Sequence, residues 1–273
     1  MTHILPNAFL DTPIAHRALH DASQGRPENS IAAVQAAVDA GFAIEIDVQL
    51  SVDDKAVVFH DYDLRRLTPE MGPVRQRTSG QLVTIPYMAG KGTIPSLRDV
   101  LDVVAGKVPM LIEIKDQDGA LGSDVGKLEG AVARALEGYS GPAALMSFNP
   151  HSVWEMKRLC PDIPRGLVTE DFPSDVWPVP IPTLDRLREI PDYDHVEASF
   201  ISHKAGDLDR ARVQDLKRDG ATILTWTIKS HDEATTALET AHNITFEGYD
   251  HILAARASGV GPIIALPHLG GWE

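Results

Sequence analysis

Short apolar or alternating runs recur along the chain, and amphipathic helical patterns separate them. The predicted strands begin near residues 14, 44, 110, 143, 164, 196, 222 and 243, with a further apolar run at 56–59. The predicted helices cover about 30–40, 96–105, 124–137, 152–159, 183–189, 208–218 and 232–240. Eight strands that alternate with helices predict a parallel (β/α)8 barrel, an α/β fold, over one domain at 1–273.

The second predicted strand alternates strictly between the apolar residues Ile44, Ile46, Val48 and Leu50 and the polar residues Glu45, Asp47, Gln49 and Ser51. A period of two puts the carboxylates of Glu45 and Asp47 on one face of the strand. One interpretation is an ordinary hairpin with a solvated face, on which paired acids are common. The other is a metal site beside an acid–base group, because the run 56–59 ends in His60.

Further polar residues stand at the ends of predicted strands. A strand at 13–15 is followed by a histidine and an arginine, and a strand near 110 carries a carboxylate and a lysine on one face. In a (β/α)8 barrel the carboxyl ends of all strands meet at one rim, where the reacting groups lie. The candidate rim residues are therefore His16, Arg17, Glu45, Asp47, His60, Glu113 and Lys115.

The stretch at about 62–95 has no strand or helix period and is rich in Pro and Gly. A connection of this length inside a compact domain is unusual unless it has a function. We interpret it as a small insertion or lid that follows the second strand.

Composition narrows the choice of partners and location. The chain has 273 residues, 25 basic and 39 acidic, and a formal net charge of −14. This balance argues against nucleic acid or an anionic membrane as the main partner. The single cysteine, Cys160, excludes an intramolecular disulfide, residues 1–11 do not resemble a signal peptide, and no apolar run is long enough to span a membrane. These features predict a cytoplasmic protein without stable membrane association.

The candidate residues, taken in order, resemble the glycerophosphodiester phosphodiesterase family. The resemblance covers about 100 residues and consists of His16-Arg17, Pro27-Glu28-Asn29-Ser30, Glu45-Ile46-Asp47, His60-Asp61, the run Leu64, Arg66, Leu67, Thr68, and Glu113-Ile114-Lys115. Two weaker similarities follow, at Thr225-Trp226-Thr227 and at 244–250. Two positions depart from the family pattern: Ala18 stands where Gly is usual, and Phe246-Glu247 replaces Thr-Asp.

The resemblance implies a barrel with an insertion after the second strand, and hydrolysis of a glycerophosphodiester to glycerol 3-phosphate and an alcohol. By the same resemblance, Glu45, Asp47 and Glu113 are expected to hold a divalent cation, and His16 and His60 to act as the acid–base pair. Arg17 and Lys115 are expected to contact the phosphate, and Glu28 and Trp226 to lie at the substrate.

The chemistry of the residues agrees with this implication. Three carboxylates without a thiol suit a hard cation such as Mg²⁺ or Ca²⁺. With no thiol or Ser motif beside the histidines, the attacking group is expected to be water or the substrate's own 2-hydroxyl. Two other functions stay open: a phospholipase D-like activity on lysophospholipids, and a non-catalytic barrel that binds phosphodiesters. The choice of metal, the alcohol, the oligomeric state and the assignment of acid and base also stay open.

Overall fold

The computed structural model describes residues 4–248, so the ends of the predicted 1–273 domain and of the 244–250 similarity lie outside the described residues. The strands are β1 (Ile14–Ala15), β2 (Ala43–Leu50), β3 (Ala56–Val58), β4 (Met110–Ile114), β5 (Ala143–Ser147), β6 (Arg165–Thr169), β7 (Phe200–Lys204), β8 (Thr222–Ile228) and β9 (Asn243–Phe246). The helices are α1 (Ala8–Asp11), α2 (Ile31–Ala40), α3 (Ser79–Leu82), α4 (Leu97–Val104), α5 (Lys127–Leu136), α6 (Pro150–Leu159), α7 (Ile181–Arg188), α8 (Ala211–Arg218) and α9 (His231–Ala237). Short 3-10 helices lie at Ala22–Gln24, Leu64–Arg66, Val74–Gln76 and Ala205–Asp207.

Eight of the strands form a closed parallel barrel. The order around it is β1, β9, β8, β7, β6, β5, β4, β2, and the pairing of β1 with β2 closes the ring. β3 is antiparallel to the end of β2, with Val48 opposite Val58, so the hairpin rises above the barrel at its carboxyl rim. The predicted (β/α)8 fold is therefore confirmed.

The alternation in β2 separates two hydrophobic cores. Ile44, Ile46 and Val48 pack with residues of the surrounding helices in the outer core. A second cluster, which takes side chains from β1, β2 and β4–β8 and from α1 but not from α2–α9, fills the barrel interior. Glu45 and Asp47 point to that interior and are only 1% exposed, so the interpretation of a solvated hairpin face is wrong.

The largest error in the predicted elements concerns β7. The apolar run from Val196 predicts a strand at 196–201, but the strand begins at Phe200. The residues before it form a tight turn, in which Glu197 adopts a left-handed conformation with φ of 51° and the Ala198 amide donates to the Tyr193 carbonyl. Val196 and Ala198 are buried in that turn, so their apolar character reflects packing rather than an extended backbone.

The segment at 62–95 folds around a small core of its own. Leu64, Val74, Leu82 and Ile94 are buried together against Val57 of β3 and its neighbour Phe59. The segment is built from two 3-10 helices and the four-residue α3, which are too short to give a visible sequence period. It thus lies next to β3, and its 3-10 helix Leu64–Arg66 reaches the barrel rim.

Candidate functional site

Three carboxylates lie together at the carboxyl end of the barrel. Asp47 on β2 pairs in register with Glu113 on β4, and Glu45 lies two residues before Asp47 on the same face. One oxygen from each of the three side chains lies within 4.8 Å of the others. All three side chains are buried, so this cluster concentrates negative charge away from water.

The pKa values of Glu45 and Asp47 are shifted in opposite directions. Burial, together with Asp47 and Glu113, raises the pKa of Glu45 well above its ordinary value. The pKa of Asp47 is lowered although burial opposes this, because Lys115, His60 and Arg17 surround it with positive charge. Within the described chain, Glu45 Oε1 is buried without a hydrogen-bond partner, while Oε2 accepts from the Arg17 amide at 2.8 Å.

These features fit a divalent cation. A buried carboxylate oxygen without a donor is costly, and a cation would satisfy it while offsetting the repulsion among the three acids. The donor set of carboxylate oxygens suits Mg²⁺ or Ca²⁺. The cluster could therefore bind a metal ion, as the three residues predict.

Two cations of the protein itself flank the cluster. Lys115 Nζ lies 2.8 Å from Asp47 Oδ1 and 2.7 Å from Glu113 Oε1, and these carboxylates keep the pKa of Lys115 high despite its burial. Arg17 Nη1 donates to Glu28 at 2.9 Å, and its Nε lies 3.6 Å from Asp47. Both cations thus stand beside the carboxylates at the rim.

The first loop turns sharply at Arg17 and Ala18, which both adopt positive φ, 51° and 63°. The Ala18 amide donates to the Glu45 carbonyl at 2.9 Å, so the turn is fastened to β2. A left-handed conformation favours Gly because it has no Cβ, which explains why Gly is usual at this position. Ala18 therefore carries a strained backbone that holds Arg17 over the cluster.

Each candidate histidine is paired with a carboxylate through Nδ1. His16 Nδ1 lies 2.6 Å from Glu247 Oε1, and His60 Nδ1 lies 2.7 Å from Asp61 Oδ1. A carboxylate at Nδ1 fixes the orientation of the ring and favours the tautomer with its proton on Nδ1. Burial lowers the pKa of His16 and outweighs the opposing effect of Glu247.

Several residues that support the site are not recognisable from the sequence pattern. Asn29 holds Asp47 by two hydrogen bonds: Asn29 Nδ2 donates to Asp47 Oδ2 at 2.9 Å, and the Asp47 amide donates to Asn29 Oδ1 at 3.2 Å. Ser30 caps α2. In the sequence, Glu247 stands out only as a departure from the family pattern, and Asp61 only as the neighbour of His60. The pairing of Asp61 with His60 could have been found from their adjacency; the others required the fold.

Trp226 on β8 lies with aromatic residues from the connections that follow β5 and β6. It packs on the interior cluster with Phe148, at 5.6 Å between ring centroids and in an edge-to-face arrangement, and Trp177 lies 5.0 Å from Phe148. All three rings are partly exposed. The mouth of the barrel thus has a charged part beside β1, β2 and β4 and an aromatic part beside β5, β6 and β8.

Comparison with known proteins identifies the family. A model of the glycerophosphoryl diester phosphodiesterase family matches residues 16–244. The chain belongs to that family. The chain is therefore an enzyme of the phosphoric diester hydrolase class, and the non-catalytic alternative is set aside.

Individual relatives cover most of the barrel. YhdW of Bacillus subtilis strain 168 is 29% identical over 231 residues, 81% of this chain and 87% of YhdW. A glycerophosphodiester phosphodiesterase of Caldanaerobacter subterraneus is 25% identical over 230 residues, 81% of this chain and 86% of the relative. The solved structure of an Oleispira antarctica phosphodiesterase in complex with the product sn-glycerol-3-phosphate superposes with a TM-score of 0.74 at 25% identity, covering 92% of this chain and 98% of that one.

The residues that carry the family resemblance are thus brought together by the barrel. His16 and Arg17 follow β1, Glu45 and Asp47 lie within β2, and His60 follows β3. Glu113 and Lys115 lie at the end of β4, and Glu28 contacts Arg17. Trp226 lies on the same rim, on β8. Within residues 4–248, no helix combines the length and the apolar character that crossing a membrane requires.

Proposed function

We propose that this phosphodiesterase hydrolyses glycerophosphodiesters to glycerol 3-phosphate and an alcohol, with His16 and His60 as its acid–base pair. One observation carries the proposal: two histidines, each held by a carboxylate at Nδ1, flank a buried cluster of three carboxylates. His16 precedes Arg17, whose amide bonds Glu45, and the Phe59 amide beside His60 donates to the Asp47 carbonyl.

Glu45, Asp47 and Glu113 would hold the divalent cation that the family implies. When bound, such an ion polarises a phosphoryl oxygen and stabilises the charge that develops on it. Lys115 and Arg17 stand where they can contact the other phosphate oxygens. Glu28 supports this arrangement through its ion pair with Arg17.

The two histidines divide the proton transfers. One accepts the proton of the attacking hydroxyl as its oxygen bonds to phosphorus, and the other donates a proton to the leaving alkoxide as the P–O bond breaks. The substrate's 2-hydroxyl is adjacent to its phosphate ester and so attacks at high effective concentration. This attack gives a five-membered cyclic phosphate, which water then opens with the same pair exchanging roles.

Trp226 and Phe148 offer an apolar surface for the carbon skeleton of the substrate. Their rings are partly exposed at the mouth of the barrel and pack against the interior cluster. Trp226 is held in place because its indole Nε1 donates to the Ser202 carbonyl at 2.9 Å.

We expect release of glycerol 3-phosphate from a panel of glycerophosphodiesters, with activity lost in chelator and restored by added Mg²⁺ or Ca²⁺. A 2-deoxy analogue should bind nearly as well but turn over slowly, with the loss in kcat. Coupled detection of glycerol 3-phosphate measures the metal requirement. Release of the alcohol measures turnover of the deoxy analogue and of a lysophospholipid, and the second of these tests the phospholipase D-like alternative. Full activity in chelator would contradict the metal requirement, and a normal rate on the deoxy analogue would assign the attack to water.

Glu247→Gln should lower the pKa of His16 further, because the Glu247 carboxylate opposes the effect of burial on that ring. Whichever protonation state of His16 the reaction needs, the limb of the pH–rate profile that His16 controls should move to lower pH. Profiles of kcat/KM for wild type and variant measure the shift. Glu239→Gln, a matched change on an exposed carboxylate, should leave the profile unchanged. An unmoved profile in Glu247→Gln would show that Glu247 does not act on His16.

A further inference from the structure

Arg66, in the insertion after β3, binds two separate carboxylates through one guanidinium group. Its Nη1 and Nη2 donate to the two oxygens of Glu28 at 2.9 and 2.6 Å. Its Nε and Nη2 donate to the two oxygens of Asp61 at 2.5 and 2.9 Å. Both pairs are bidentate, so the guanidinium fixes the orientation of each carboxylate as well as its position.

Each of those carboxylates holds a residue of the proposed catalytic machinery on its other side. Asp61 contacts His60 Nδ1 at 2.7 Å, and Glu28 accepts from Arg17 Nη1 at 2.9 Å. Arg66 is therefore linked to His60 through Asp61, and to Arg17 through Glu28. Arg66 thus connects the part of the site that follows β1 with the part that follows β3.

The backbone that carries Arg66 is anchored independently of these contacts. Leu64, at the start of the same 3-10 helix, is buried in the insertion core. Asp63 caps the helix by accepting from the Arg65 amide, and Thr68 Oγ1 donates to the Leu64 carbonyl at 2.9 Å. The position of the Arg66 backbone is thus fixed by the folded insertion and does not depend on the ion pairs of its guanidinium.

We propose that Arg66 is a positioning residue, through which the insertion holds His60 and Arg17 in register with the carboxylate cluster. The inference rests on the proposed function of the site. The guanidinium is the positive charge that Glu28 and Asp61 share. Without it, the two negative carboxylates would repel each other. Their partners would then lose orientation. A misplacement of about 1 Å costs on the order of 100-fold in rate.

Three variants test this role. Arg66→Met keeps the length of the side chain and removes the charge; Arg66→Lys keeps the charge but not the planar fork that grips two carboxylates at once. Arg65→Met is the matched control, because Arg65 lies in the same 3-10 helix, is mostly exposed and pairs only with Asp63 among the described residues. Each protein is assayed for glycerol 3-phosphate release and for thermal unfolding.

We expect Arg66→Met to lose about 10- to 100-fold in kcat with little change in KM, Arg66→Lys to recover part of that loss, and Arg65→Met to behave as wild type. Adding Asp61→Asn to Arg66→Met should cost less than Asp61→Asn costs alone, since both act on His60. A purely structural residue would instead lower the unfolding temperature and give additive losses.

Several outcomes would overturn the inference. A wild-type kcat in Arg66→Met, an activity loss no larger than that of Arg65→Met, or additive losses with Asp61→Asn would each show that Arg66 does not position His60. A loss confined to KM would make Arg66 a substrate contact instead. If wild type and Arg65→Met are active in these cases, the proposed function stands and only the role of Arg66 is wrong. If wild type releases no glycerol 3-phosphate, the proposed function is wrong and the inference falls with it.

Discussion

Glu45→Gln and Asp47→Asn are each expected to abolish divalent-cation binding and to reduce turnover by about a thousandfold or more. Metal-assisted charge stabilisation supplies several kcal/mol, and each 1.36 kcal/mol is about a factor of ten in rate. The three carboxylates each offer one oxygen within a space of 4.8 Å, so no member is remote from the proposed ion. Isothermal titration with Mg²⁺ and Ca²⁺, beside the glycerol 3-phosphate assay, measures both effects.

The same variants separate catalysis from folding. Because burial beside two other acids raises the pKa of Glu45, a carboxyl group at this position lowers the free energy of unfolding at neutral pH, and Gln removes that cost. In chelator, Glu45→Gln should therefore unfold at the same temperature as wild type or higher. Glu129→Gln is the control: Glu129 is also buried, but it binds Ser152 and the Gly126 amide at the start of α5. That change should lower stability and leave cation binding intact. Wild-type cation affinity in Glu45→Gln would contradict the proposed metal site.

His16→Ala and His60→Ala are each expected to reduce kcat by roughly 100-fold or more, the scale of general acid–base catalysis. The double variant should lose little more than the worse single variant, because residues that act in one reaction unit are strongly non-additive. The two rings are suited to this joint role, since each has a carboxylate at Nδ1. Steady-state kinetics of the four proteins on one glycerophosphodiester gives the comparison.

The control for the histidine pair is His203, a fully buried ring that contacts Thr169 Oγ1 at 2.8 Å and the Asp207 carbonyl at 3.1 Å. His203→Gln should change stability more than kcat, because its contacts serve the packing between β6, β7 and the following 3-10 helix. Small and additive losses in the His16 and His60 variants, similar to that of His203→Gln, would show that the pair is structural.

The sequence alone predicts the barrel and the acidic face, for a local reason. Strand and helix periods depend on neighbouring residues, and eight alternations leave few topologies besides a parallel barrel. The period of two also places Glu45 and Asp47 on one face, and the strand-end rule brings Glu113 to the same rim. Where burial comes from a turn, as at Val196 and Ala198, the same local rule gives the wrong strand boundary.

Only the tertiary structure decides which face of β2 is buried inside the barrel and which groups contact the proposed catalytic residues. His16 and Glu247 are separated by 231 residues and meet because β1 pairs with β9 as the barrel closes. Arg66 reaches Glu28 across 38 residues because the insertion folds on its own core beside the rim. Such contacts leave no period in the sequence, since they depend on the closure of the ring and on side-chain reach. The sequence alone thus predicted the fold and the candidate reacting groups. Only the folded chain brings Glu247 to His16 and Arg66 to Glu28.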